Sequence, residues 1–326
     1  MSKSNPPFFF QATQSVDNRL GDSFGFVWAS YAGLRELWWQ VRGFRSQFPS
    51  LHIDEIKSKF LSGLSLPGGI DLAKVCLGTE WAEHEEEFGK WILFEACTLY
   101  ESWAEKVCSD LFPANVAERH AKSLQFPSRV TKSGNPTGYT VAIDAANASA
   151  STLMIAEFFP TLKTSKLNRW STVQDHLIAY RFFKECRNSF IHSDGIASQH
   201  LIDAQALLSS AQAQVPQPFR HKFALPTLII GTPIVLELKD CILFATVVRL
   251  LICTFDAALC VSRASEAVLE KRLRSFKTKN GSLLNLPSDP IKRGQRVKRL
   301  LAAARIPEPV NLVNVVTWME DRGVIR

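Results

Sequence analysis

The stretch "CILFATVVRLLICTFDAALCV", Cys241 to Val261, constrains the fold of this chain more than any other. It is long and apolar enough to cross a bilayer as one helix. Arg249 and Asp256 lie inside it, however, and charges in mid-span are costly in lipid. The stretch therefore predicts a long helix buried in a protein core, with its two charges paired or at its edge. No membrane association is expected. A chain of 326 residues, 46% apolar and 21% charged, has a soluble globular profile and can bury a full core without staples. The opening "MSKSNPPFFFQATQ" has one lysine and three consecutive phenylalanines, and does not read as a secretion signal.

Most of the remaining sequence has helical periodicity. Phe24, Val27, Trp28, Tyr31, Leu34, Leu37, Val41 and Phe44 recur at helical spacing, and "IDEIKSKFLSGL" follows as a second helix stopped near "SLPGG". A long helix over residues 79–112 is closed by Pro113, and its first turns carry Glu80, Glu83, Glu85, Glu86 and Glu87 at the positive end of the helix dipole. A polar Gly/Pro loop at 130–140, a helix over 143–159, a capping box "STVQ" at 171–174 opening another helix, and a helix over 198–212 continue the pattern. Residues 226–240, "PTLIIGTPIVLELKD", alone alternate as a strand does, and predict a small β-hairpin around "GTP" at about 226–237. The expectation is an all-α multi-helix bundle with this one hairpin. Its parts would be an N-terminal helical extension (1–75) packed on the core, a central helical domain (76–265) and a basic helical region (266–326).

Charge separates the last part from the rest. Residues 266–305 hold Lys271, Arg272, Arg274, Lys277, Lys279, Lys292, Arg293, Arg296, Lys298, Arg299 and Arg305 against Glu266, Glu270 and Asp289, a local charge of +8 in a chain whose total is +7. A basic module on a near-neutral body suits a polyanionic partner, although charge alone is equally compatible with a solvated surface. The seven cysteines are odd in number, form no C-x-x-C and sit among apolar neighbours. They predict buried reduced thiols in a cytoplasmic protein rather than disulfides or zinc ligands.

The sharpest local feature is "CRNSFIHSDG", Cys186 to Gly195. Asn188 and His192 are four residues apart and share a helix face, and Arg181 and Lys184 extend the same stripe. Arg187 lies off that stripe and would need a bend or a helix end to converge on His192; Asp194–Gly195 could supply the end. The residue types suit cleavage of RNA, whose 2′-hydroxyl is a nucleophile already beside the phosphate. Histidine titrates near ~6.5 and can act as base or acid. Arginine grips phosphate oxygens in a fork, asparagine can orient the imidazole, and these groups can stabilise the transition state without a metal.

The motif R-N-x-x-x-H, Arg187-Asn188-x-x-x-His192, resembles the R-x4–6-H signature of the HEPN ribonuclease superfamily, often with a polar residue after the arginine. That signature also occurs in RNA-targeting CRISPR effectors and in toxin and phage-defence nucleases. The capped helix leading into the motif and the aromatic-rich "WILFEACTLYESWAEKV" upstream strengthen the likeness, which covers roughly residues 76–265. The resemblance implies a helical bundle of four to five helices with the motif at the end of a late helix. It implies Arg187 and His192 as the catalytic pair, with Asn188 at the polar position. It further implies metal-independent, cofactor-free endoribonuclease action, a homodimer with a composite site, and a toxin or phage-defence role with an antitoxin or other defence-system subunit as a further partner. Against it stands a plainer reading, in which Arg187 and Asn188 cap a helix and His192 is a satisfied structural histidine. A non-catalytic RNA-binding or assembly subunit of a larger complex is the competing class.

Further candidates attach to the same site. Arg181 and Lys184 would line an RNA groove, and Lys292, Arg293, Arg296, Lys298 and Arg299 would grip phosphates. Glu95, Glu101 or Asp194 could orient His192, each with a structural role as the alternative. His176 reads as a partly buried structural histidine, and Trp38 and Trp39 as core and interface rather than base-stacking groups. "HEEEF" at 84–88 lacks the second histidine of a zinc protease motif. The helix "IKRGQRVKRLLAAARI" has Val297, Leu300, Leu301 and Ala304 as an apolar stripe under a basic face. It is compatible with an RNA arm, a helix–turn–helix, or docking against the acidic 80–87 patch of the same chain or of a second subunit.

Overall fold

A computed structural model describes residues 6–63, 67–130, 136–280 and 286–325, the side chains of 276–280 excepted. Its α-helices in chain order are α1 (Gln11–Gln47), α2 (Ile53–Leu61), α3 (Trp81–Leu111), α4 (Ala114–Gln125), α5 (Thr140–Ala148), α6 (Phe159–Lys163), α7 (Val173–His192), α8 (Gln199–Gln212), α9 (Leu238–Leu259), α10 (Arg263–Asn280), α11 (Pro290–Ala303) and α12 (Leu312–Asp321). Two π-helical turns, Ala73–Gly78 and Met154–Phe158, interrupt the series.

The apolar stretch is the central helix α9, against which α1, α3, α5, α6 and α7 pack. Cys241, Phe244, Val248, Leu251 and Phe255 are all at most 1% exposed. Both of its charges are paired: Arg249 Nε donates to Asp17 at 2.5 Å, and Asp256 accepts from the N-terminal segment. The helices α3 and α9 approach closely at Gly89, where a Cβ would lie 3.2 Å from Cys241 Sγ and 3.4 Å from Leu238 Cα. Against this pair α7 runs antiparallel to α3, matching Phe94 with Phe190 and Tyr100 with Tyr180, and it stacks Phe183 on Phe244 of α9 at 4.8 Å. All seven cysteines are buried free thiols. Burial pushes those of Cys97, Cys108 and Cys241 up to about 12, so they behave as small apolar residues.

The ends of the chain share this core. Phe9, Phe10, Val16, Leu20 and Val27 belong to the main buried cluster, as do Val297, Leu300, Leu301 and Ala304 of the predicted apolar stripe. The far half of α1 overshoots the bundle and builds a second cluster in which Trp38 and Val41 meet Ile56, Leu72 and Cys76. Arg42 lies 4.0 Å from the centroid of the Trp38 indole and donates to the carbonyls of Cys76 and Thr79.

Several sequence expectations change. The helix expected over 143–159 is broken because residues 149–151 pair with 261–263: Ser151 N donates to the Val261 carbonyl at 2.8 Å and Arg263 N to that of Ser149 at 2.7 Å. The capping box at 171–174 does not form; Gln174 Nε2 instead donates to the Tyr139 hydroxyl. Residues 226–237 form no hairpin, and no strand occurs among the described residues. They do turn at Gly231, whose φ of +80° suits glycine, but the arm after the turn pairs with residues 195–197 rather than with the arm before it. Among the described residues, no ion pair joins the basic C-terminal region to the 80–87 acids of its own chain; it pairs instead with Glu266, Glu270, Glu308 and Glu320. Helix α12 packs on the turn Met154–Phe158, where buried Glu157 accepts from Asn311 N and Asn314 Nδ2. Residues 131–135 of the expected polar loop lie outside the described residues.

Asp256 is wholly buried and accepts from the amides of Phe9 and Phe10 and from the Thr13 hydroxyl. Burial pushes its carboxyl up to about 7, while the three donors and the Arg272 guanidinium pull it down. The folded carboxyl holds its proton well above the ordinary value of 3.8 at which an unfolded one releases it. The stability it contributes is therefore complete below about pH 3.8 and lost as pH rises through about 7. Thermal melts from about pH 4 to about pH 8 should show this decline, and Asp256→Asn should flatten it; parallel profiles would remove Asp256 as the titrating group. Phe10→Ala should cost about 3–5 kcal/mol in urea unfolding, as for other fully buried aromatics.

Candidate functional site

The motif occupies the last two turns of α7. The helix ends because Asp194 and Gly195 adopt left-handed backbone, φ 49° and 72°, so that the amides of Ser193 and Gly195 both donate to the Ser189 carbonyl, at 2.9 and 3.0 Å. A Cβ at Gly195 would also meet the Phe190 ring at 3.0 Å. The chain just beyond is fixed by the extended segment that replaced the hairpin. Ile234 N donates to the Gly195 carbonyl at 2.8 Å, Ala197 N to that of Thr232 at 2.9 Å, and Gly231 N to that of Ala197 at 3.0 Å. Sequence reasoning placed the turn at "GTP" correctly but missed this pairing, because its partner is remote in the chain.

Asp194 thus supplies the helix stop, and its carboxylate makes no bond to His192. The other two proposed orienting groups are committed elsewhere. Glu95 accepts from Ser23 at 3.2 Å and pairs with Arg19 at 3.4 Å, and Glu101 pairs with Lys184 at 3.2 Å. His192 is the final helical residue and is exposed. Arg187 is half-buried; its Nη1 donates to Asn188 Oδ1 at 3.2 Å and its Nε is buried without a partner. The helix stays regular to its end, so no bend brings Arg187 and His192 together. Five residues at 3.6 per turn set them about 140° apart around the axis.

The stripe of Arg181, Lys184, Asn188 and His192 is not one open face. Arg181 and Asn188 are half-buried, and Lys184 is 6% exposed. Its ammonium donates to the Gln125 carbonyl at 2.8 Å and sits 3.9 Å from the Phe126 ring centroid. Burial holds it below its ordinary value, with nearby Arg187 acting the same way against the pull of Glu101. Lys184 is therefore a buried structural cation and not the groove-lining RNA contact expected. No local signal marked this, since Glu101 and Gln125 lie on other helices, α3 and α4. His176 is the structural histidine expected, 2% exposed, with Nδ1 at 2.8 Å from the Thr172 carbonyl.

Of the five C-terminal cations singled out, Arg293 pairs with Glu320 and Lys298 with Glu308. Lys292, Arg296 and Arg299 are exposed on α11 and have no side-chain partner among the described residues. Among those residues no three His, Cys, Asp or Glu side chains gather closely enough to hold a metal ion.

The two cations of the α7 stripe should separate experimentally. Lys184→Ala strands Glu101 and removes a buried cation, and should cost about 3 kcal/mol in urea unfolding. Arg181→Ala, half-buried and without an ion pair, should cost no more than about 1 kcal/mol. Equal costs would show that Lys184 carries no structural load.

No protein-family model matches the chain, and neither a curated protein nor a solved structure is significantly similar to it.

Proposed function

We propose that the chain is a HEPN-type endoribonuclease that acts as a homodimer in the cytoplasm. The observation that carries this reading is the placement of Arg187, Asn188 and His192 on the last two turns of a core bundle helix. There a free imidazole stands at the surface and the Arg187 guanidinium is joined to Asn188. In the reaction, His192 removes the proton of a 2′-hydroxyl, and the 2′-oxygen attacks the adjacent phosphorus. The P–O5′ bond breaks, and a second acid protonates the departing 5′-oxygen. The products are a 2′,3′-cyclic phosphate and a 5′-hydroxyl, and Arg187 balances charge on the phosphoryl oxygens. A single His192 cannot face both sides of one phosphate, and the roughly 140° between Arg187 and His192 keeps one chain from clasping it. A second copy supplies the missing histidine, and a twofold axis beside α7 would do so with identical surfaces. Arg181, Lys292, Arg296 and Arg299 extend the basic surface toward RNA. A toxin or phage-defence role, with an antitoxin or another defence subunit as partner, rests on the motif resemblance.

A second reading, a non-catalytic RNA-binding or assembly subunit, is favoured by Lys184, whose charge is withdrawn into the core and neutralised by Glu101. Incubation of the purified protein with single-stranded RNA in EDTA separates the two. The expected outcome is fragments with 2′,3′-cyclic phosphate ends, resistance of DNA and of 2′-O-methyl RNA, and a rate about 100-fold lower or less in Arg187→Ala or His192→Ala chains that melt like the parent. Excess His192→Ala chains should poison the parent by forming inactive heterodimers. Intact RNA under all these conditions would leave the binding-subunit reading standing.

A further inference from the structure

Helix α4 and the chain after it enclose a cleft of about 800 Å3 that plays no part in the chemistry at His192. Its floor is fixed by backbone. Thr137 and Gly138 fold back so that both amides donate to the Arg129 carbonyl, at 2.7 and 3.2 Å, and Ser123 Oγ donates to the Gly138 carbonyl. A Cβ at Gly138 would lie 1.9 Å from the Phe126 carbonyl oxygen, so glycine is required for this approach.

One wall of the cleft is the ring of Phe126, 53% exposed. The buried Lys184 ammonium lies over it at 3.9 Å and is itself held by Gln125 and Glu101. The ring is thus backed by a fixed cation while much of it stays open to solvent. Arg119 and Arg129 line the same cleft; both are exposed and neither guanidinium has a hydrogen bond or ion pair among the described residues. The one acid in the lining, Glu118, is matched by Lys122 at 2.6 Å.

A free phosphate, a lipid headgroup or an acidic peptide would use the two guanidiniums but has no use for an exposed aromatic ring beside them. A nucleotide uses both, and proteins that hold single strands combine stacking rings with cationic grooves in this way. The geometry points to this cleft as a binding site for one nucleotide unit of single-stranded RNA, with the base on Phe126 and the flanking phosphates on Arg119 and Arg129. The choice of RNA rests on the proposed function; the nucleotide chemistry does not. Lys184 joins the cleft to the motif helix one turn before Arg187. From Lys184 to His192 is about 12 Å along the axis at 1.5 Å per residue. That is roughly three to four nucleotides at the ~3.4 Å stacked spacing, so the cleft would hold the strand a short way from the phosphate to be cut.

The test measures fluorescence anisotropy of a labelled oligouridine with the full chain carrying His192→Ala, so that the probe is not consumed. Phe126→Leu keeps an apolar side chain and removes the ring, and should weaken binding at least about fivefold. Arg119→Gln with Arg129→Gln should reduce the log–log salt slope by about 1.4. Undiminished binding by Phe126→Leu, in a protein that melts like the parent, overturns the stacking wall. An unchanged slope in the double variant overturns the phosphate clamp. Displacement of the probe by uridine monophosphate at concentrations near the oligomer's own Kd would assign the cleft to a free nucleotide and overturn the strand. Displacement by polyglutamate that is insensitive to Phe126→Leu would reassign it to an acidic protein surface. Because only binding is read, an inactive parent enzyme would defeat the proposed reaction and leave this result intact.

Discussion

One buried carboxylate organises the molecule. A helix begins with amides that have no partner in their own helix, and a buried start must find one elsewhere. Asp256, on the central helix α9, supplies it for α1 through Phe9, Phe10 and Thr13. The Trp103 indole on α3 donates to the same Thr13 hydroxyl at 2.7 Å. Arg272 on α10 completes the hub, donating to the Phe9 carbonyl at 2.8 Å and to that of Arg305 at 3.1 Å. Four helices and the connection after α11 are thereby referred to one point. Once the start of α1 is pinned there, its direction along α3 is set, with Arg19 opposite Glu95 and Tyr31 opposite Glu85. Its length then carries it past the bundle, which is why the second apolar cluster forms where it does.

The sequence made the helices legible and left their couplings hidden. Periodicity located α3, α8 and the stripe of α11 because the signal is local: apolar residues at helical spacing, a proline stop at Pro113 and a Ser198 cap that accepts from Leu201 N. It also identified α9 as buried, since Arg249 and Asp256 needed partners. What those partners were could not be read, because Asp17 and the Phe9–Phe10 amides lie at the other end of the chain. The same limit explains the failed hairpin. Alternating apolar residues in 226–237 reflect an extended segment with one side against the bundle, and periodicity alone does not say what that segment pairs with. Helix α1 begins well before Phe24 for a related reason: residues 11–21 offer only the small stripe Ala12, Val16 and Leu20, and the chain entering them is held by Asp256 through the Phe9 and Phe10 amides and the Thr13 hydroxyl.

The candidate site divides along the same line. That α7 should end at Asp194–Gly195 followed from residue type, because glycine and aspartate tolerate left-handed backbone. That the end should be held by residues 231–234 did not. The consequence is mechanical. A helix terminus is usually the first part of a helix to fray, yet this one is clamped by backbone hydrogen bonds to Gly195 and Ala197. The backbone that follows His192 is therefore tied to residues 231–234 rather than left free at the helix end.

Charge shows most clearly how sequence and surface part company. The +8 of residues 266–305 suggests a strongly basic arm, but part of it is buried or matched by neighbouring acids. Arg272 is buried at the Asp256 hub, where desolvation lowers its guanidinium to about 10, and Arg274 pairs with Glu270. Arg293 and Lys298 are drawn to Glu320 and Glu308 on the α12 side. Lys184 shows the same effect in the bundle, where a cation placed on a helix stripe by sequence is neutralised by Glu101 and covered by Phe126. A formal charge counts every ammonium and guanidinium alike, whereas a polyanion in water meets only those that are exposed and unpaired. In α11 these are Lys292, Arg296 and Arg299, and beside α4 they are Arg119 and Arg129, two residues that no charge run in the sequence marks. The field available to a nucleic acid is thus set by which acids the fold brings near each base, and it is not confined to the basic tail.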